Sequence, residues 1–129
     1  MLKIDEKLSA ADLLPAIKEM WQLSAQKILA IEEYCSDPHQ GSPVFTVEGQ
    51  YTSRGWTEWT QGFQFGSALL QFDATGDQQF LEIGRNKTVE VMAPHVTHFG
   101  VHDHGFNNVS TYGTLLRLMN ERRISEDAG

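Results

Sequence analysis

The 129-residue chain has little of several things. It has one cysteine, four prolines and ten basic side chains against seventeen acidic ones. The lone Cys35 excludes an intrachain disulfide and any multi-cysteine zinc centre. The resulting net charge of −7 argues against nucleic acid or an anionic membrane as a partner, because binding phosphates takes a dense basic face. No apolar run approaches the roughly 18 residues of a membrane-crossing helix. The opening Met1-Leu2-Lys3-Ile4-Asp5-Glu6-Lys7 is too charged for a signal peptide, which predicts a cytoplasmic protein. No segment is of low complexity, and the Asn108-Val109-Ser110 sequon carries no weight in that compartment.

What remains is the composition of one packed domain over residues 1–129, 40% hydrophobic and 21% charged. Three Trp, seven Phe, three Tyr and five His are side chains that line sugar pockets: aromatic faces stack on C–H surfaces, while imidazoles donate and accept hydrogen bonds. They serve equally to fill a core.

The pattern along the chain predicts an all-α fold. Asp12 is positioned to cap a first helix, with Pro15 in its opening turn. Leu14, Ile17, Trp21, Ile28, Ile31 and Cys35 form its apolar stripe, read as core. From Ser36 to Gly55, Pro38, Gly41, Pro43, Gly49 and Gly55 break helices, and Val44–Val47 is the only β-like run. This is an ordered excursion in which Phe45, Tyr51 and Trp56 are expected to find burial. A second helix from Trp59 to Ala74, apolar on more than one side, is expected to be buried all round. Its Gly62, Gly66 and Ser67 allow close backbone approach. Thr75-Gly76-Asp77 stops it and caps a third helix that runs to Met92 and ends at Pro94. His95 to Asn108 reads as a loop, Ser110 as the cap of a fourth helix, and the tail from Arg122 as frayed.

Three constellations carry possible chemistry. In the first, Trp56 to Gly66, an aromatic at a helix start beside free backbone N–H groups can stack on a sugar whose acidic group those amides hold. A helix-entry staple uses the same residues. In the second, His102-Asp103-His104-Gly105-Phe106, a carboxylate between two imidazoles suits proton transfer, and an Asp that merely caps the next turn explains it as well. The third is the spacing His95-x2-His98-x3-His102-x-His104. It offers nitrogen ligands, but matches no specific zinc signature. Cys35, on the apolar stripe, reads as a structural thiol.

Two of these stretches together resemble a known family. Trp59-Thr60-Gln61-Gly62-Phe63, then Gly66, then Thr75-Gly76-Asp77-Gln78-Gln79-Phe80, is similar to the entry helix and hairpin turn of unsaturated glucuronyl hydrolases, relatives of the unsaturated rhamnogalacturonyl hydrolases. His102-Asp103-His104-Gly105-Phe106 resembles their H-D-x-G-F loop. The 44 residues from Trp59 to Asp103 are close to the family's separation, and the resemblance spans roughly Leu13 to Met119. It implies part of an (α/α)6 toroid, about two of its six hairpins, where the alternative is a compact four-helix bundle. It implies hydration of the C4=C5 double bond of an unsaturated uronate oligosaccharide. Asp103 would be the general acid/base, Trp59 would stack on the ring, and His102, His104, Phe106 and Trp56 would contact substrate, with neither metal nor cofactor. A second essential aspartate would lie beyond Gly129. The chain departs from the family at Gln64, where an aromatic is common, and at His104, where an aliphatic is common. Two rival readings stand beside this one. One is a non-catalytic helical module that binds carbohydrate or completes a ring; the other is a metal-dependent hydrolase built on the His95–His104 loop. Helices from an incomplete ring would expose apolar sides of Phe63, Phe65, Leu69 and Leu116, and so would self-associate or join the remainder of a barrel.

Overall fold

The computed structural model describes residues 7–37 and 39–125. The opening Met1–Glu6, Pro38, and residues 126–129 of the tail lie outside it. The chain is mostly helical, 65%, as the all-α reading expects. Among the described residues no helix is long and apolar enough to cross a membrane.

Helix α1 spans Ala10–Tyr34. Ser9, not Asp12, is its N-cap. Asp12 stands three residues in, where its carboxylate accepts from the Ser9 backbone N–H at 2.8 Å and from the hydroxyl at 2.6 Å. Those bonds hold the Asp12 carboxyl below its ordinary range. Pro15 consequently sits in the second turn. The apolar stripe is core only toward its C-terminal half. Ile28 is buried, while Leu13, Leu14, Ile17, Met20 and Leu23 are exposed, because among the described residues none covers the stretch 10–20.

The excursion contains a hairpin, β1 (Phe45–Val47) paired antiparallel with β2 (Gln50–Thr52). Its two-residue turn puts Glu48 at φ 51° and Gly49 at φ 78°, the double left-handed geometry that matches strand twist. Phe45, Tyr51 and Trp56 stay about half exposed, against the expected burial. They pack pairwise instead: Arg54 lies over the Phe45 ring at 5.0 Å, and Tyr51 meets Tyr34 edge-on at 5.8 Å.

Helix α2 (Thr60–Thr75) is the centre of the molecule. Gly76, at φ 76°, ends it and returns its N–H to the Phe72 carbonyl. The Asp77 carboxylate accepts the Gln79 N–H at 3.0 Å and starts α3 (Gln78–Val91). Phe65, Ala68, Leu69 and Phe72 of α2 join Phe80, Leu81, Ile28 and Leu118 in the core. Phe63 and Leu70 are nearly half exposed, so α2 is buried on most sides rather than all round. Of the side chains expected to stay exposed at an open ring end, Phe63 and Leu116 do. Phe65 and Leu69 are instead buried, because they share the face of α2 that packs on α1, α3 and Leu118.

After α3 the stretch expected as a loop is one only over residues 98–103. Pro94 opens a short helix, α4 (Ala93–Thr97), as proline does at a first turn. A second, α5 (His104–Asn108), runs through a wide π segment (Val109–Gly113) into α6 (Thr114–Asn120). Ser110 therefore caps nothing; it lies inside a continuous rod. The rod lies close against α2. A Cβ on Gly62 would stand 2.3 Å from Asn107 Cα, and one on Gly66 would stand 2.6 Å from the Ser110 carbonyl oxygen.

The described part of the tail is anchored. Arg122 takes φ 57°, its N–H donates to Met119 and that of Arg123 to Leu118, the double closure of a helix end. Ile124 packs on the core, and the Arg123 guanidinium reaches Asp73 at 3.1 Å.

Candidate active site and its histidine junction

The N-terminal end of α2 and the start of α5 enclose an aromatic cleft of about 320 Å³, lined by Trp59, Phe63, Phe106 and Asp103. Trp59 meets Phe63 edge-on at 5.3 Å, and Phe63 lies 6.3 Å from Phe106. All three rings are about half exposed. The chain's two motif stretches thus meet in space. Asp103 precedes α5, yet its carboxylate makes no hydrogen bond to that helix, so capping does not account for it. The His102 imidazole, almost fully exposed, stands beside it, Nε2 to Oδ1 at 3.8 Å.

His104 lies elsewhere. It is 5% exposed and has both ring nitrogens engaged, Nδ1 with His95 Nδ1 at 2.8 Å and Nε2 with His98 Nδ1 at 2.7 Å. Trp56 stacks on it, 5.7 Å between centroids at 15°, and meets His95 and His98 edge-on. Trp56 and His104 therefore form a junction beside the cleft, while Trp59, Phe106 and Asp103 line the cleft itself.

Two residues to which the sequence assigns no role of their own complete the junction. Asn107 is fully buried. Its Oδ1 accepts the Gly62 N–H at 2.8 Å, and its Nδ2 donates to the Glu58 carbonyl at 3.2 Å and to His95 Nδ1 at 3.1 Å. Gln61 meets His95 Nε2 at 2.9 Å. The Gly62 amide, expected to be free for a ligand's acidic group, is thus already committed. Burial, then the charges of His104 and His98, push the His95 imidazole below the ordinary histidine range.

No family model, no curated protein and no solved structure matches this chain.

Among the described residues no group of three or more His, Cys, Asp or Glu side chains is arranged to hold a metal ion. The physical reason is visible at His104: its two nitrogens face two different partners, so the three imidazoles form a chain rather than converge on one point. His102 of the sequence spacing stands apart from them, beside Asp103. Cys35 is half-buried, with Sγ 3.7 Å from the Gly41 carbonyl oxygen. Burial foremost pushes its thiol up, away from the reactive thiolate.

Proposed function

We propose that the cleft is a carbohydrate site, and that the chain is the N-terminal portion of an (α/α)6 glycosidase-like protein that hydrates the C4=C5 bond of unsaturated uronates. The observation that carries this reading is the Asp103 carboxylate, uncommitted to any helix cap, in a cleft otherwise walled by Trp59, Phe63 and Phe106. Aromatic walls take the apolar faces of a sugar ring, and a lone carboxylate among them would deliver a proton to C4 and then draw one from the water that adds at C5. The hemiketal so formed opens and releases the neighbouring sugar. His102, exposed and 3.8 Å from Asp103, would contact the same substrate. Exposed apolar side chains on α1, with Phe63 and Leu70 of α2 and Leu116 of α6, suit helices that await neighbours in a ring.

The same exposed faces favour a second reading, a helical module that binds carbohydrate without turning it over. The test separates the two. Asp103→Asn in a protein that carries the complete ring should abolish loss of the double bond's ultraviolet absorbance while leaving oligosaccharide binding intact. Trp59→Ala should weaken binding in either case. Turnover that survives Asp103→Asn removes the acid/base role. Binding without turnover by the unsubstituted complete protein selects the module.

A further inference from the structure

We infer that the cleft walled by Trp59, Phe63 and Phe106 is also a site for a small organic cation. The ligand is an alkylated or quaternary ammonium group, held against the three rings with the Asp103 carboxylate as its counter-ion. The inference goes beyond the uronate reading and does not rest on it. Of the residues that line the cleft, three are aromatic, one is a carboxylate, and none is a lysine or arginine. The planes of Trp59 and Phe63 stand at 88°, two sides of a corner, and Phe106 is tilted at 34° to Phe63. Each ring is about half exposed, so none is sealed by its neighbours. An aromatic face attracts positive charge, tryptophan most strongly. Alkylated ammonium groups suit such walls because they shed water easily and ask for no hydrogen bonds.

The polar groups of the cleft separate this ligand from others. The four lining residues bring one indole N–H and one carboxylate. A saccharide asks for several polar partners around its ring, and a uronate for a cation as well, which the rest of a complete ring would have to add. An alkylated ammonium is satisfied by these four. A free anion finds less. The start of α2 would attract one through its unpaired N–H groups, but the Gly62 N–H is given to Asn107 Oδ1 at 2.8 Å. At α5, Asp103 stands just ahead of the first turn. A helix end carries about half a charge, less than the full charge of a carboxylate, so Asp103 sets the sign of the cleft.

The surroundings carry the same sign. Seventeen acidic side chains against ten basic ones make a field that concentrates cations near the surface. The His102 imidazole stands 3.8 Å from the Asp103 carboxylate, too long for a hydrogen bond, and its ring is almost fully exposed. An incoming cation therefore displaces water and no locked ion pair. Trp56 takes no part, being packed against His95, His98 and His104. At about 320 Å³ the cleft is at the small end of ligand pockets, with room for a choline-sized ion. Half-exposed rings give the weak end of the attraction, so a dissociation constant on the order of 1 mM is expected.

The test is a titration of the 1–129 chain with choline chloride and with the neutral isostere of choline, in which carbon replaces the charged nitrogen. Proton NMR follows the methyl groups of each probe, because ring currents shift methyls seated against aromatic faces upfield. Choline should saturate with an upfield shift, and the neutral isostere should bind about tenfold more weakly. Trp59→Leu keeps an apolar wall and removes the aromatic face, and should cost about tenfold in choline affinity. Phe106→Leu checks the same point on the opposite wall should Trp59→Leu disturb the start of α2. Asp103→Asn should weaken choline about fivefold and leave the isostere unchanged. Equal affinity for the charged and neutral probes makes the cleft a plain apolar pocket and overturns the inference. So does a response that never saturates, or a choline affinity unchanged in both leucine variants, which puts the cation elsewhere on the acidic surface. Failure of a complete protein to turn over an unsaturated uronide leaves the choline result standing, so the two readings fail separately.

Discussion

The two ends of α2 are held by different physics. Its C-terminal half, through Ala68, Leu69 and Phe72, is fixed by apolar burial against α1, α3 and α6. Its N-terminal half is fixed by hydrogen bonds and by absent side chains. Gly62 and Gly66 let the α5–π–α6 rod approach to backbone contact, and Asn107 spends its amide on Gly62, Glu58 and His95. Apolar burial is non-directional and tolerates sliding by a fraction of an ångström. Hydrogen-bonded contact between backbones does not. The end beside the cleft that Asp103 lines is the end built from directional bonds.

The largest effect should come from the apolar end. Leu69 is fully buried, and Leu69→Ala should cost about 2–5 kcal/mol in urea unfolding. A Cβ on Gly84 would stand 2.6 Å from Leu69 Cδ2, so Gly84→Ala alone should destabilise, yet recover part of the loss when combined with Leu69→Ala. Strict additivity of the two would show that they do not share one packing space.

Next comes the directional end. Gly62→Ala improves helix propensity by up to about 1 kcal/mol, but its methyl would meet Asn107 backbone and side chain. A net loss of about 1–3 kcal/mol is expected, together with a changed Trp56 emission spectrum, since the shift displaces α5. A neutral or stabilising outcome would mean the two backbones do not touch.

The ends should also differ in pH response. His95 is held below its ordinary value of 6.5, burial being the first cause. As pH falls below that value the unfolded chain takes up a proton that folded His95 refuses. Stability present above the ordinary range is therefore lost on acidification, by at most about 1.4 kcal/mol per pH unit for one group. Denaturant midpoints between neutral and mildly acid pH should show this slope, and His95→Gln should flatten it. A slope unchanged in that variant would assign the acid loss to other groups.

The smallest effect is reserved for the surface. Lys87 and Glu32 join α3 to α1 at 3.0 Å, both partly exposed. Glu32→Gln should cost under about 1 kcal/mol, and added salt should shrink the difference further.

How much of this was legible in the residues follows the same division. Gly76 and Asp77 act on their own neighbours, so the α2–α3 turn could be read almost to the residue. Asp12 was misplaced by three positions because a capping partner and a cap share one chemistry. β2 went unseen because Gln50-Tyr51-Thr52 has no apolar alternation and relies on Glu48 in a left-handed conformation. The cleft was partly legible: Trp59, Asp103 and Phe106 stand in motifs. The histidine junction was not, because Gln61, His95, His104 and Asn107 belong to different elements and only folding brings them together. A polar Asn following a glycine-containing turn is a faint signal, and nothing local says that it will be fully buried.

The solitary Cys35 gives this molecule a clock. Its sulfur rests against the Gly41 carbonyl where the end of α1 meets the excursion, half covered and with its proton tightly held. A thiol reagent meets a half-covered sulfur there, and parting of that junction would uncover the rest of it. As it is the chain's one cysteine, any labelling of the unmodified protein reports on this one place, where the end of α1 meets the hairpin-bearing excursion. The excess of its rate in mild denaturant over that in buffer follows the opening of that contact.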